Sequence, residues 1–298
     1  MTKIFINKSN IIHAYTLDII VFIVTVSVLF FLNYSILQWK DNQIDSVSKN
    51  VVILTNFWAI FPIIVANGIW MKSLLVASML TSFWAHMQWS GVLIPGEEPG
   101  KWDNIFATTI IVAYAFTWWP DRWSIFLPKN KHCLFFTGRS NDTTTFNCKL
   151  STKLLLNIVL STITAIFIYI YYDESPTIIK INNMKMTLQD VIPIFSILAA
   201  IVFGLIYICD DEKHIGNKNK PYFIVFFILG TASGIYGYMS KRMNSKYENV
   251  LHSQWHVLMF TSAYCFSRAS SYIQIEINQS QNQTRKKRKM YNNYRLNY

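Results

Sequence analysis

Charge is what this sequence has least of. Only 14% of its 298 residues are charged, while 52% are hydrophobic and the mean hydropathy is +0.25. Soluble domains carry about 25% charged residues, so a single water-facing globule is excluded in favour of a chain that crosses a membrane several times. Cysteine is scarce too. The four present are too scattered for a disulfide framework. Cys133 and Cys148 could pair only if their loop were lumenal, and free thiols are the expectation. Acidic residues number 16 against 27 Lys and Arg, which leaves a formal net charge of +11. Such a surplus can mark a nucleic-acid binder, but much of it lies in "RKKRK", Arg285 to Lys289. Beside apolar spans, a cluster of this kind belongs in the cytosol against anionic lipid, and no nucleic-acid partner is expected.

Long apolar runs and aromatic rings are what the chain has in plenty. Ten Trp and sixteen Tyr suit membrane–water interfaces, where amphipathic rings collect. A span needs about 20 mostly apolar residues. Eight stretches qualify or nearly so, at roughly 15–37, 51–69, 73–91, 103–120, 153–172, 188–209, 221–239 and 250–268. The second and third are parted only by "ANGIWMK", where Asn67-Gly68 signals a turn and Lys72 adds a charge. The first is too long and lacks a small-residue cleavage site, so an anchor helix is expected rather than a signal peptide. The fold class is therefore all-α, a multispanning transmembrane helix bundle.

Orientation follows from basic residues in alternate segments. With the N-terminus inside, inner segments hold 19 of the 27 Lys and Arg and outer segments hold 8. Both termini are expected in the cytosol, which leaves the organelle open. Sequons at Asn7, Asn141, Asn278 and Asn282 then face away from the lumen, where glycan is added. The largest inner loop, with Arg122, Lys129, Lys131 and Arg139, joins the fourth stretch to the fifth. In the seventh stretch, "GTASGIYG" sets Gly230 with Gly234 and Ser233 with Gly237 at the spacing of close helix packing. That packing is expected inside one bundle, with dimerisation as the alternative. Pro193 could kink the sixth stretch.

Ionisable groups inside spans are expensive and call for a reason. Of six histidines, only His86, His252 and His256 fall in apolar stretches. In "NVLHSQWHVLMF", His252 and His256 are four residues apart, which stacks both rings on one helix face. His86 comes late in the third stretch, in "LTSFWAHMQW", with Ser82 one turn earlier. Asp103 opens the fourth, in "GKWDNIFATT". Counting spans brings all five to one membrane face, whichever way the bundle is inserted. A lone interfacial histidine is ordinarily a packing residue. Three with serine and aspartate at one depth point instead to a zinc site, three protein ligands leaving the fourth position for water. Asn56 and Asn67 read as interhelical hydrogen bonders.

The set Ser82-x-x-x-His86, Asp103 and His252-x-x-x-His256 resembles the CREST superfamily of seven-helix membrane hydrolases. "HSQWHVL", "SFWAH" and "NFWA" (Asn56 to Ala59) are similar to segments of its alkaline ceramidase branch. The resemblance implies an N-terminal segment with one extra transmembrane helix (1–50), a seven-helix core (51–270) and a basic, disordered cytosolic tail (271–298). It implies zinc held by His86, His252 and His256, with Asp103 and Ser82 as catalytic groups. It also implies hydrolysis of a lipid amide, ceramide first among candidates. Calcium is not supported: where that branch carries an acidic segment, this chain offers only Asp41 and Asp45 in "QWKDNQIDSVSKN". Two rivals stay open: a receptor or structural protein whose zinc only pins helices, and an esterase of GPI-lipid or phospholipid remodelling. A transporter is disfavoured, since no pair of broken helices in inverted repeats is visible.

Overall fold

In a computed structural model, the protein is described over residues 8–38, 49–92, 98–118, 152–172, 177–181, 184–209, 219–242 and 249–272. The long inner loop, the basic tail, all four sequons (Asn7, Asn141, Asn278 and Asn282), Cys133 and Cys148, and Asp41 and Asp45 lie outside the described residues. Each apolar stretch is helical over most of its described residues. The helices are α1 (Lys8–Gln38), α2 (Lys49–Val65), α3 (Ile69–Trp89), α4 (Glu98–Thr117), α5 (Thr152–Tyr171), α6 (Leu188–Cys209), α7 (Lys220–Arg242) and α8 (249–272). A two-stranded antiparallel hairpin, β1 (Thr177–Ile181) and β2 (Met184–Thr187), stands between α5 and α6. It falls between the fifth and sixth apolar stretches, outside any expected helix.

Among the described residues, four helices are long and apolar enough to cross a membrane: α1, α5, α6 and α7. Their outward faces carry Phe22, Phe30, Ile163, Phe195 and Ile228, all exposed, as a surface facing acyl chains would. α8 is the opposite. It is buried along nearly its whole length, although it carries two histidines, a glutamine and several serines. Lipid tails are as apolar as leucine, so spans associate through small residues and interhelical hydrogen bonds rather than through oil-like contacts. α8 uses both devices, one on each side.

Toward α1 it presents polar rungs. Gln254 Nε2 donates to Asn33 Oδ1 (3.1 Å), the Thr25 and Thr261 hydroxyls meet at 3.3 Å, and Arg268 Nη2 reaches Asp18 Oδ2 at 2.6 Å. Tyr264 donates to the same carboxylate, at Oδ1. Residue numbers fall on α1 as they rise on α8, so the two helices are antiparallel, with rungs about two helical turns apart. Each neutral rung contributes on the order of 0.6 kcal/mol.

Toward α7 the contact is steric. A Cβ on Gly230 would sit 2.8 Å from the Phe266 ring, and one on Gly234 would sit 3.0 Å from Ser262 Oγ. Ser262 Oγ donates to Gly230 O at 2.7 Å, a bond available only because no side chain separates the backbones. The small-residue motif thus packs within one bundle, as the sequence suggested. α4 completes the surround. Its Tyr114 hydroxyl meets Ser267 Oγ at 2.7 Å, and Trp118 Nε1, just beyond its end, donates to Ser270 Oγ at 2.5 Å.

Candidate metal centre

The site lies where three helix ends meet. α3 stops at Trp89 because Gly91, at φ 79°, turns the chain into a left-handed cap. The Gly91 and Val92 amides then bond to Gln88 O and Met87 O, both at 3.0 Å, the paired closure of a Schellman ending. His86 is fixed in the last turn before that stop. α8 starts at residue 249, which sets His252 in its first turn and His256 one turn further on. α4 starts at Glu98, earlier than the apolar stretch implied, so Asp103 stands in its second turn rather than at its opening. Pro99 near the helix start explains the extension, since a missing amide hydrogen costs nothing there.

The three imidazoles converge. Ring centroids are 4.7 Å apart for His86 and His252, 4.7 Å for His86 and His256, and 4.8 Å for His252 and His256. One ligand nitrogen from each lies within 4.8 Å of the others. His86 and His256 are buried, while His252 is half-buried and forms the accessible side. Trp89 and Trp255 wall the trio with ring edges, at 4.8 Å from His86 and 5.2 Å from His252 respectively. Trp89 fits because Gly100 has no Cβ, which would come 3.2 Å from its ring.

His86 Nε2 and His256 Nε2 approach to 3.2 Å. Two ligands on a tetrahedral zinc with Zn–N bonds of 2.0–2.1 Å stand about 3.3 Å apart. The donor set, the spacing and the partly open third imidazole all fit such an ion. Ser82 Oγ lies 3.4 Å from His256 Nε2, one helical turn before His86. Asp103 is buried and lines two spaces at once. One is a narrow, mostly apolar slot shared with Ser82 and His256. The other is a chamber of about 270 Å³ shared with His252, Asn104, Thr108, Asp190 and Tyr238. Beyond the slot, past Ile110, Ile111, Met259 and Ala263, an apolar crevice runs between α4, α6, α7 and α8.

Compared with family models, with curated proteins and with solved structures, the chain finds no match. Its chemistry rests on its own atoms. All five residues singled out in the sequence gather at this one place. Two more belong with them. Asp190, in the first turn of α6, is a buried acid at the start of an apolar stretch, the same signal that exposed Asp103. Thr55 contacts His256 Nδ1 at 3.2 Å, and nothing in its sequence setting distinguishes it from other span threonines. Asn56, expected to bridge helices, instead donates to Val52 O and Ile53 O of its own helix, where α2 tightens into a 3₁₀ turn. Asn67 is exposed in the turn before α3.

Proposed function

We propose that this protein is a zinc-dependent intramembrane hydrolase of a lipid amide, ceramide-like, built on a seven-helix core of α2 to α8 with α1 added. The observation that carries it is the trio of imidazoles, one of which (His252) lines the chamber while another (His256) lines the apolar slot with Ser82, and the buried Asp103 carboxylate lies on both. His86, His252 and His256 would hold the ion. When bound, zinc supplies Lewis acidity and lowers the pKa of a water to about 7.

The remaining work falls to the chain. Asp103, on the wall common to slot and chamber, takes a proton from the attacking water and returns it to the leaving nitrogen. The Ser82 hydroxyl donates to the oxygen that becomes negative as the carbonyl turns tetrahedral. The apolar slot and crevice receive an acyl chain and exclude water from it. Among the described residues, Asp103 and Asp190 line the chamber and no Lys or Arg does, which favours a small uncharged amide headgroup over a phosphate.

The test is to incubate purified protein with ceramide, phospholipid and GPI-type lipids, and to measure released fatty acid by mass spectrometry and zinc by elemental analysis. Release from ceramide, lost together with zinc in His256→Ala, is the expected result. Full turnover in a zinc-free His256→Ala protein would remove the metal from the chemistry. Release from phospholipid or GPI lipid alone would make the protein an esterase. Zinc without any release would make it a receptor or scaffold.

A further inference from the structure

Thr55 lies on α2, a helix that contributes no imidazole to the centre. Its side chain is buried and makes two contacts. The hydroxyl donates to Val52 O at 2.8 Å, a turn back in its own helix, and stands 3.2 Å from His256 Nδ1. A threonine hydroxyl has one proton and two lone pairs. With the proton given to the carbonyl, the oxygen can only accept from the ring. His256 Nδ1 therefore carries the hydrogen, and Nε2 is left as a bare lone pair. That lone pair is the atom 3.2 Å from His86 Nε2 and 3.4 Å from Ser82 Oγ.

We infer that Thr55 is the positioning residue of the centre: by accepting the Nδ1 hydrogen it locks His256 in the tautomer that presents Nε2 as a metal ligand. It acts through His256 and touches neither ion nor substrate. A ligating histidine gains from such a partner on its other nitrogen, because a ring free to turn or to change tautomer can present the metal with an N–H instead of a lone pair. α2 is well suited to supply it. Just after Thr55 the helix narrows through Asn56–Ala59, and Asn56 Nδ2 also donates to Val52 O at 3.1 Å. The backbone that holds the hydroxyl is thereby pinned from two side chains.

This inference rests on the reading of the trio as a metal site, and its test separates the two. Zinc affinity is measured by chelator competition on purified wild-type, Thr55→Val and Thr55→Ser proteins, alongside nitrogen NMR of labelled histidine in metal-free samples. Thr55→Val keeps the shape and removes the acceptor. It is expected to weaken zinc binding by about 10–100-fold and to abolish the dominant Nδ1–H form of His256. Thr55→Ser, which restores the oxygen, is expected to recover both. A Thr55→Val protein with wild-type affinity and an unchanged tautomer would overturn the role of Thr55. A wild-type protein that binds no zinc would sink the metal reading, while the tautomer measurement would still decide what Thr55 does to the ring.

Discussion

At the scale of single residues, the sharpest division of labour lies between Ser82 and the histidines. Ser82 Oγ lies 3.4 Å from His256 Nε2, near enough to reach an oxygen reacting there, and a neutral hydroxyl is not among the thiolate, imidazole and carboxylate groups that ordinarily hold zinc. Ser82→Ala is therefore expected to lower turnover by about 10²–10³-fold with zinc content unchanged. Loss of the metal in that variant would reassign the serine to holding His256. Why the five residues were legible and Thr55 was not has a physical answer. An imidazole or carboxylate in an apolar run is costly, so its presence alone signals a purpose. A threonine in a span costs little, because its hydroxyl can bond back to its own helix, as Thr81 and Thr162 do here. What sets Thr55 apart is that His256 of a distant helix arrives at its height, and no local pattern encodes that coincidence.

At the scale of helices, the ion pair between α1 and α8 is the contact with the largest consequence. The side chains of Arg268 and Asp18 are only 14% and 13% exposed, and the guanidinium also lies over the rings of Phe226 and Tyr272. Removing one partner from a buried pair costs about 3–5 kcal/mol, because the other charge stays behind. Asp18→Asn is expected at the lower end of that range, seen as a lower melting temperature in detergent. Replacing both residues with leucine should recover most of the loss, and an Asp18→Asn protein that melts with wild type would show that α1 is not held by this pair. The glycines of α7 were legible as a packing motif, and their partners Ser262 and Phe266 were not. A sequence tells that a helix can come close, not which neighbour it meets. The hairpin went unread because Thr177–Ile181 and Met184–Thr187 are short and separated by only two asparagines, a strand–turn–strand signal easily absorbed into a polar loop.

At the scale of the whole molecule, the helices that bring the site residues together are not the ones that stand out as apolar spans. α3, α4 and α8 carry Ser82, His86, Asp103, His252 and His256, and none of them ranks among the four helices apolar enough to span on composition alone. Hydropathy finds the lipid-facing wall and passes over the interior it encloses. Insertion with both ends in the cytosol is expected to leave Asn7, Asn141, Asn278 and Asn282 unmodified, so glycosidase treatment should not change electrophoretic mobility. A shift on treatment would invert the orientation.

Asp18 and Arg268 stand 250 residues apart in sequence. At 5–20 residues per second, a ribosome takes roughly 12 to 50 seconds to travel between them. During that interval the earlier helix holds an acid about a turn inside its apolar stretch with its counter-ion not yet made. Closing the bundle is thus a late event in biogenesis, like a belt fastened by its two ends. A translation stall or truncation upstream of α8 leaves the histidine cluster without two of its three imidazoles and the belt without its buckle.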